Sequence, residues 1–281
     1  MNLNKNFRLN VFQIASICRN FENQVYANIE NKNIKIPTYL SAGQEYISST
    51  LSYCLKEKYN PNLFIQHRGH STYLSFGGNM LELIDELLGE TSGCANGMGG
   101  SASIHSPAIK LYGHDGMMGS QVPIAVGFCY TTKLPTIVFM GDSSAEEDYV
   151  FSSIGWALTK KLPILFIVED NNLSILTEKI IRRNWNIHEV ARGFGLEAYD
   201  ISDDPIDIKN NLSNVFKEPL LLNINTNRKY WHAGAGTDGE NFDRFKKEMD
   251  ELGEDSIIIN NKIKIEIKKL WQKQLEKQSK N

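Results

Sequence analysis

The spacing of apolar residues divides the chain into three parts. In the first third, apolar residues recur at helical spacing over residues 12–21, 46–55 and 80–88, which predicts a mostly helical segment. The middle of the chain alternates short apolar runs with helical stretches. From residue 241 onward the sequence is charged and again helical, with Ile263, Ile267, Leu270 and Trp271 falling on one face.

The middle part predicts a parallel sheet. Four short apolar runs read as buried strands, at residues 136–140, 164–168, 196–201 and 220–224, and residues 146–160 between the first two have helical periodicity. Continuous apolar strands separated by helices are typical of an α/β fold with a parallel sheet and helices on both faces. In such sheets, ligands bind beyond the carboxyl ends of the strands.

Composition narrows the function classes. A chain of 281 residues, 41% of them hydrophobic, is long enough to bury a sizeable core. Its 30 basic and 33 acidic residues give a net charge of −3, which argues against nucleic acid or an anionic membrane as the main partner. The four cysteines lie far apart without metal-ligand spacing, and the amino terminus lacks a signal-peptide core. We therefore expect a soluble cytoplasmic enzyme or enzyme subunit.

Two of the predicted strands end in oxygen ligands. Asp142 closes the first, and Asn171 closes the next, 29 positions later. Parallel strands joined by one crossover end at the same edge of the sheet, so these side chains should lie close together. A carboxylate, an amide oxygen and a main-chain carbonyl suit Mg²⁺. Gly141 and the small Ser143 and Ser144 would leave room for a phosphate group beside it.

Glycine is concentrated just before this pair. Residues 93–101 read GCANGMGGS and residues 113–119 read GHDGMMG. Because glycine lets the backbone come close to another group, we expect these segments to approach a ligand.

The segment GDSSAEEDYVFSSIGWALTKKLPILFIVEDNN resembles the thiamine-diphosphate signature, GDG followed at a distance by NN. More closely, it is similar to the alpha subunits of 2-oxo acid dehydrogenase E1 components. Further segments match in family order, among them FIQHRGHSTYLSFGG, GCANGMGGS, GHDGMMGSQVPIAVG and EPLLLNINTNR. The resemblance implies the thiamin-diphosphate-binding fold. It also implies one diphosphate-binding domain over residues 1–281, with a helical segment at about 1–60 and a helical tail at about 241–281.

The resemblance assigns roles by position. Asp142, Asn171 and the main-chain carbonyl of Leu173 would bind Mg²⁺. Ser143 and Ser144, which follow Gly141-Asp142, would offer backbone N–H groups to the diphosphate of the cofactor.

The same resemblance implies further cofactor contacts. Arg68 matches an arginine on the diphosphate, and His67 stands beside it where tyrosine is common. The main chain at Gly116 and Met118 would hold the aminopyrimidine ring.

Two histidines match active-site positions of the family. His70 and His232 would stabilise phosphate or substrate and help in acyl transfer, with His232 also in the cofactor site. His105 and His114 lie in the glycine-rich region but match no family role.

The chain departs from the family pattern at two places. Ser143 replaces the second glycine of GDG, which the backbone tolerates only if φ is negative there. The run Glu146-Glu147-Asp148 then adds three carboxylates near an anionic cofactor. These either weaken cofactor binding or face a partner subunit.

The function implied by the resemblance is decarboxylation of a 2-oxo acid and transfer of the acyl or aldehyde unit to lipoyl or another acceptor. A beta-type subunit would supply the glutamate that activates the pyrimidine, in an α₂β₂ assembly, and a lipoyl-bearing acyltransferase is one candidate acceptor. The alternatives are the amino-terminal half of a split transketolase, a biosynthetic carboligase, and an inactive scaffold subunit. No residue here distinguishes pyruvate from a larger acid.

Overall fold

The computed structural model of the chain describes residues 3–234, 236–239 and 241–278, so the predicted domain limits at residues 1 and 281 lie outside the described residues. The strands are β1 (Asn62–Phe64), β2 (Leu111–Tyr112), β3 (Thr136–Gly141), β4 (Ile164–Asp170), β5 (Leu173–Ser174), β6 (Thr177–Glu178), β7 (Glu197–Ser202) and β8 (Leu220–Asn225). The helices are α1 (Leu3–Glu30), α2 (Glu45–Tyr59), α3 (His70–Ser75), α4 (Met80–Leu87), α5 (Gln121–Thr132), α6 (Asp148–Thr159), α7 (Lys179–Arg182), α8 (Ile187–Gly193), α9 (Pro205–Asn210), α10 (Arg244–Leu252) and α11 (Glu254–Gln278).

The main sheet has six strands in the order β2-β1-β3-β4-β8-β7, and every neighbouring pair is parallel. Side chains alternate between its two faces, as the pleat of a strand requires. On β4, Leu165 and Ile167 enter one core, whereas Ile164, Phe166 and Val168 enter the other. Both faces are apolar, which explains the uninterrupted hydrophobic runs in the sequence.

Helices cover both faces, so the predicted fold class is confirmed. One core collects apolar residues of α1, α2, α3, α4, α9 and α11, and the other collects those of α5, α6 and α8. In α11, Ile263, Ile267 and Trp271 are buried and Leu270 packs against the same core, so the predicted apolar face of this helix is confirmed. No described helix combines the length and apolar character needed to cross a membrane.

The glycine-rich segment 93–101 surrounds one buried carboxylate. Glu86 on α4 accepts hydrogen bonds from the backbone nitrogens of Ala95, Gly97, Gly99 and Gly100, at 2.7 to 2.9 Å. Gly93 has no room for a side chain, because a Cβ built there would lie 2.4 Å from the Glu86 carboxylate. Here glycine lets the backbone approach a side chain of the protein itself.

We expect Glu86→Gln to destabilise the fold. The amide would place a donor against backbone N–H groups that now share two carboxylate oxygens, so some are left without an acceptor. The free energy of unfolding should fall by about 2–4 kcal/mol. Chemical denaturation of the full chain measures this, with Glu57→Gln on the exposed face of α2 as the matched control. An equal effect of the two substitutions would contradict the assigned role.

Candidate functional site

Four neighbouring strands end at one cavity of about 240 Å³. The strands are β1, β3, β4 and β8, which lie side by side in that order. The segments that follow them supply Arg68, Asp142, Asn171 and His232, respectively, to the cavity lining. The sheet topology therefore brings together side chains that are far apart in the sequence, at the edge where a parallel sheet binds ligands.

One side of the cavity offers oxygen ligands. Asp142 and Asn171 line it together with Leu173. The Asn171 side chain is held in place, because its Nδ2 donates to Gln44 Oε1 at 2.9 Å and its Oδ1 accepts from the Leu173 backbone nitrogen at 3.0 Å. A carboxylate, an amide oxygen and a nearby carbonyl fit a hard divalent cation. The described residues contain no cluster of three or more His, Cys, Asp or Glu side chains for a metal, so a cation here would rely on amide and carbonyl oxygens as well.

The loop after β3 has room for a ligand backbone. Gly141, Ser143 and Ser144 all line the cavity. Ser143 has φ −76°, so its Cβ causes no backbone strain and the serine in place of glycine is tolerated. A Cβ on Gly141 would come within 3.1 Å of Gln66 Oε1, so the glycine avoids a close contact with this side chain at the cavity wall.

Two buried arginines also line the cavity. Arg68 donates to the carbonyls of Leu40 at 2.7 Å and His232 at 3.3 Å. Arg228 pairs with Asp238 and donates to the carbonyl of Ile175 at 2.9 Å. Burial, and then the charge of Arg228, lower the pKa of Arg68 to about 10, so Arg68 remains cationic at neutral pH. This part of the cavity lining suits an anionic group.

Two neutral histidines stand beside these cations. Burial, followed by the charge of Arg68, lowers the pKa of His67 to about 2, and burial with Arg68 and Arg228 lowers that of His232 to about 4. Both rings contact Tyr39, with centroids 4.8 and 5.4 Å away. Neither ring nitrogen of His67 has a hydrogen-bond partner among the described residues. A buried polar group without a partner is costly, so His67 is suited to bind a ligand in this cavity.

The Asp142 carboxylate lies in an acidic neighbourhood. Burial and the nearby Asp170 raise its pKa to about 6, against the opposing effect of Arg182. Arg182 pairs with the carboxylates of both Asp142 and Glu146. Glu146 belongs to the acidic run that the sequence placed near the site, and it is neutralised here by arginine.

Of the other three predicted site residues, Met118 lines the cavity, whereas Gly116 and His70 do not. Met118 lines the cavity, and its carbonyl accepts a hydrogen bond from the Tyr149 hydroxyl. Gly116 is exposed with φ +102° and does not line the cavity. His70 is fully buried away from it, with Nδ1 3.2 Å from the Glu22 carboxylate and Nε2 2.9 Å from Ser101 Oγ. The structure does not bring Gly116 or His70 into this cavity.

Several residues of the site were not predicted from the sequence. Gln66 and Arg228 line the cavity, and both lie just beyond the carboxyl end of a strand. That position was a usable signal for Arg228, which follows the predicted strand at 220–224. Arg182 and Arg183 come from α7 and the residue after it, a segment without periodicity, so nothing in the sequence pointed to them.

Comparison with known proteins agrees with the fold of the chain. By fold, the chain is similar to transketolase from Leishmania mexicana, with a TM-score of 0.60 at 14% identity over 95% of this chain and 47% of that one. Transketolase from Campylobacter jejuni gives a TM-score of 0.58 at 15% identity, over 96% and 49% of the two chains. These likenesses concern the fold alone, and they agree with the thiamin-diphosphate-binding fold that the resemblance implied.

Sequence similarity identifies the family to which the chain belongs. It belongs to the dehydrogenase E1 component family, whose profile matches residues 14–280. The pyruvate dehydrogenase E1 component subunit alpha of Zymomonas mobilis is 27% identical over 209 residues, which are 69% of this chain and 58% of that protein. The mitochondrial subunit alpha-1 of Oryza sativa subsp. japonica is 27% identical over 174 residues, 60% and 44% of the two chains. The matched region thus spans about half the length of these relatives.

Proposed function

We propose that this chain is the alpha subunit of a thiamine-diphosphate-dependent enzyme that decarboxylates a 2-oxo acid and transfers the acyl or aldehyde unit to an acceptor. The observation that carries the proposal is the cavity that Asp142 and Asn171 line together with Arg68 and His67. Asp142 and Asn171 offer oxygen ligands for a divalent cation, and Arg68 and His67 offer positive charge and unpartnered hydrogen-bonding groups. A Mg²⁺ ion with a diphosphate suits both sets of residues.

In this proposal Asp142, Asn171 and the Leu173 carbonyl hold Mg²⁺. Backbone N–H groups at Ser143 and Ser144 face the diphosphate. When bound, thiamine diphosphate supplies the carbon nucleophile that the reaction needs.

The remaining lining residues act on charge and protons. Arg68 neutralises part of the negative charge of the diphosphate. His67 and His232 are neutral at physiological pH, since their pKa values are about 2 and 4. Each can therefore donate or accept one hydrogen bond without adding charge to the cavity. His232 keeps the role that the resemblance implies, which is to stabilise phosphate or substrate and to help in acyl transfer. Gly116 and His70 stay predictions outside this cavity.

The proposal extends to the assembly. We infer that the chain is a single diphosphate-binding domain that works in the cytoplasm with a beta-type subunit, as α₂β₂. A lipoyl-bearing acyltransferase is one candidate acceptor of the acyl unit.

Substrate trials separate the enzyme alternatives. The full chain with a beta-type subunit should release CO₂ from pyruvate or a larger 2-oxo acid and show no transfer between ketose phosphates and aldoses. Transfer from ketose phosphates without decarboxylation would identify a split transketolase instead. No calorimetric binding of thiamine diphosphate and Mg²⁺ in the presence of the beta-type subunit would favour an inactive scaffold subunit.

A further inference from the structure

Arg182 occupies the carboxylate that the proposed function assigns to Mg²⁺. Its guanidinium pairs with Asp142 through one nitrogen and with Glu146 through another. The Asp142 side chain is only 2% exposed and that of Arg182 is 12% exposed, so the pair is largely shielded from water. A carboxylate buried beside Asp170 needs a cation nearby, and Arg182 supplies one from within the chain.

Arg183 contacts the same loop in a different way. Its Nη1 donates to the main-chain oxygen of Asp142 at 2.9 Å and to Glu146 at 3.1 Å, so it leaves the Asp142 carboxylate free. Its guanidinium also lies 4.6 Å from the centre of the Trp185 ring. Arg183 therefore fixes the backbone of the loop, and Arg182 alone takes the carboxylate.

We propose that Arg182 is a positioning residue, an internal counter-ion of Asp142 that a divalent cation displaces and that Glu146 then holds. The proposal rests on the proposed function, because it assumes that the cation binds at Asp142. A guanidinium and a metal ion compete for the same oxygens of one carboxylate. Glu146 is already bonded to Arg182, so the arginine can leave Asp142 without losing its only partner.

The proposal gives the acidic run a role. Glu146 stands where a carboxylate would otherwise repel an anionic cofactor, yet it is matched by Arg182 and Arg183. The negative charge of Glu146 is therefore balanced by the two arginines and does not repel the ligand. The departure from the usual family sequence at this position and the presence of Arg182 form one arrangement.

The test is a titration of Mg²⁺ into the full chain in the presence of excess thiamine diphosphate, followed by calorimetry. Arg182→Gln removes the competitor, so Mg²⁺ should bind about fivefold more tightly. Glu146→Gln removes the second partner of Arg182, so Mg²⁺ should bind about fivefold more weakly. If Arg182 and Glu146 were merely structural, both substitutions would weaken binding.

Matched variants exclude a general charge effect. Arg183→Gln removes the same charge one residue away but does not vacate the carboxylate, so it should not tighten Mg²⁺ binding. Glu147→Gln removes a neighbouring negative charge and should leave Mg²⁺ affinity unchanged. Tightening by Arg183→Gln equal to that by Arg182→Gln would overturn the proposal.

A second measurement follows the thermal stability of the chain before and after the metal and cofactor are added. Without added metal, Arg182→Gln should lower the melting temperature of the chain, and Mg²⁺ with thiamine diphosphate should restore it, because Asp142 is left unpaired until the metal binds. An unchanged melting temperature would overturn the counter-ion role. A wild-type chain that binds no Mg²⁺ with the cofactor would overturn the proposed function and this competition together. Wild-type binding with both variants weakened would overturn this inference alone.

Discussion

Replacing Asp142 with Ala should abolish Mg²⁺-dependent binding of thiamine diphosphate, lowering the affinity at least about 100-fold. Asp142 is the only carboxylate among the cavity-lining residues in the part of the chain that the structure describes. No other side chain there can replace its charge on the metal. Calorimetric titration of the cofactor in the presence of Mg²⁺ measures the loss.

Two further variants make this result specific. Asp142→Asn keeps the shape of the side chain and removes its charge, so it should also weaken cofactor binding while the chain stays folded by circular dichroism. Asp148→Ala removes an exposed carboxylate six positions further on, at the start of α6, and should bind the cofactor like the wild type. Wild-type affinity in the Asp142→Ala variant would place the metal elsewhere.

The second large effect concerns the partner subunit. The purified chain should decarboxylate no 2-oxo acid, and activity should appear when a beta-type subunit is added. The resemblance to the E1 family implies a glutamate at the pyrimidine ring of the cofactor, whereas the one carboxylate lining the described cavity is Asp142, which is assigned to the metal. Glu169 is buried, does not line the cavity and accepts a hydrogen bond from Gln66, so it is not available for this role.

The measurement is CO₂ release from pyruvate and from larger 2-oxo acids, with and without the second subunit. Mixing the subunit with the Asp142→Ala variant serves as the control and should give no activity. Turnover by the wild-type chain alone would contradict the requirement for a partner.

The main strands could be predicted because buried strands appear in the sequence as runs of apolar residues. β3 and β4 each contain a continuous run of buried apolar residues, and the run of β8 is interrupted only by the buried Asn223. β1 and β2 have only three and two residues, and such short strands leave no periodic signal. α5 was not predicted for another reason. Its apolar residues are spread around the helix, so it has no clear amphipathic face, and Pro123 lies in its first turn.

The same distinction holds for the site: residues at the ends of apolar strands could be predicted, and contacts between distant loops could not. Asp142 and Asn171 could be predicted, since each ends an apolar strand and parallel strands end at one edge of the sheet. Contacts between distant loops could not be predicted in this way. Arg182 reaches Asp142 only because the segment after β4 folds back over the loop after β3. The burial of His70 between Glu22 and Ser101 likewise depends on how α1 packs against the glycine-rich segment.

The central claim is that this cavity binds thiamine diphosphate through a divalent cation. Calorimetric titration of thiamine diphosphate into the full wild-type chain, with Mg²⁺ or with a chelator in its place, tests the claim most directly. We expect saturable binding that requires Mg²⁺ and that thiamine without its diphosphate does not reproduce. No binding, or binding that is the same with the chelator, would contradict the account.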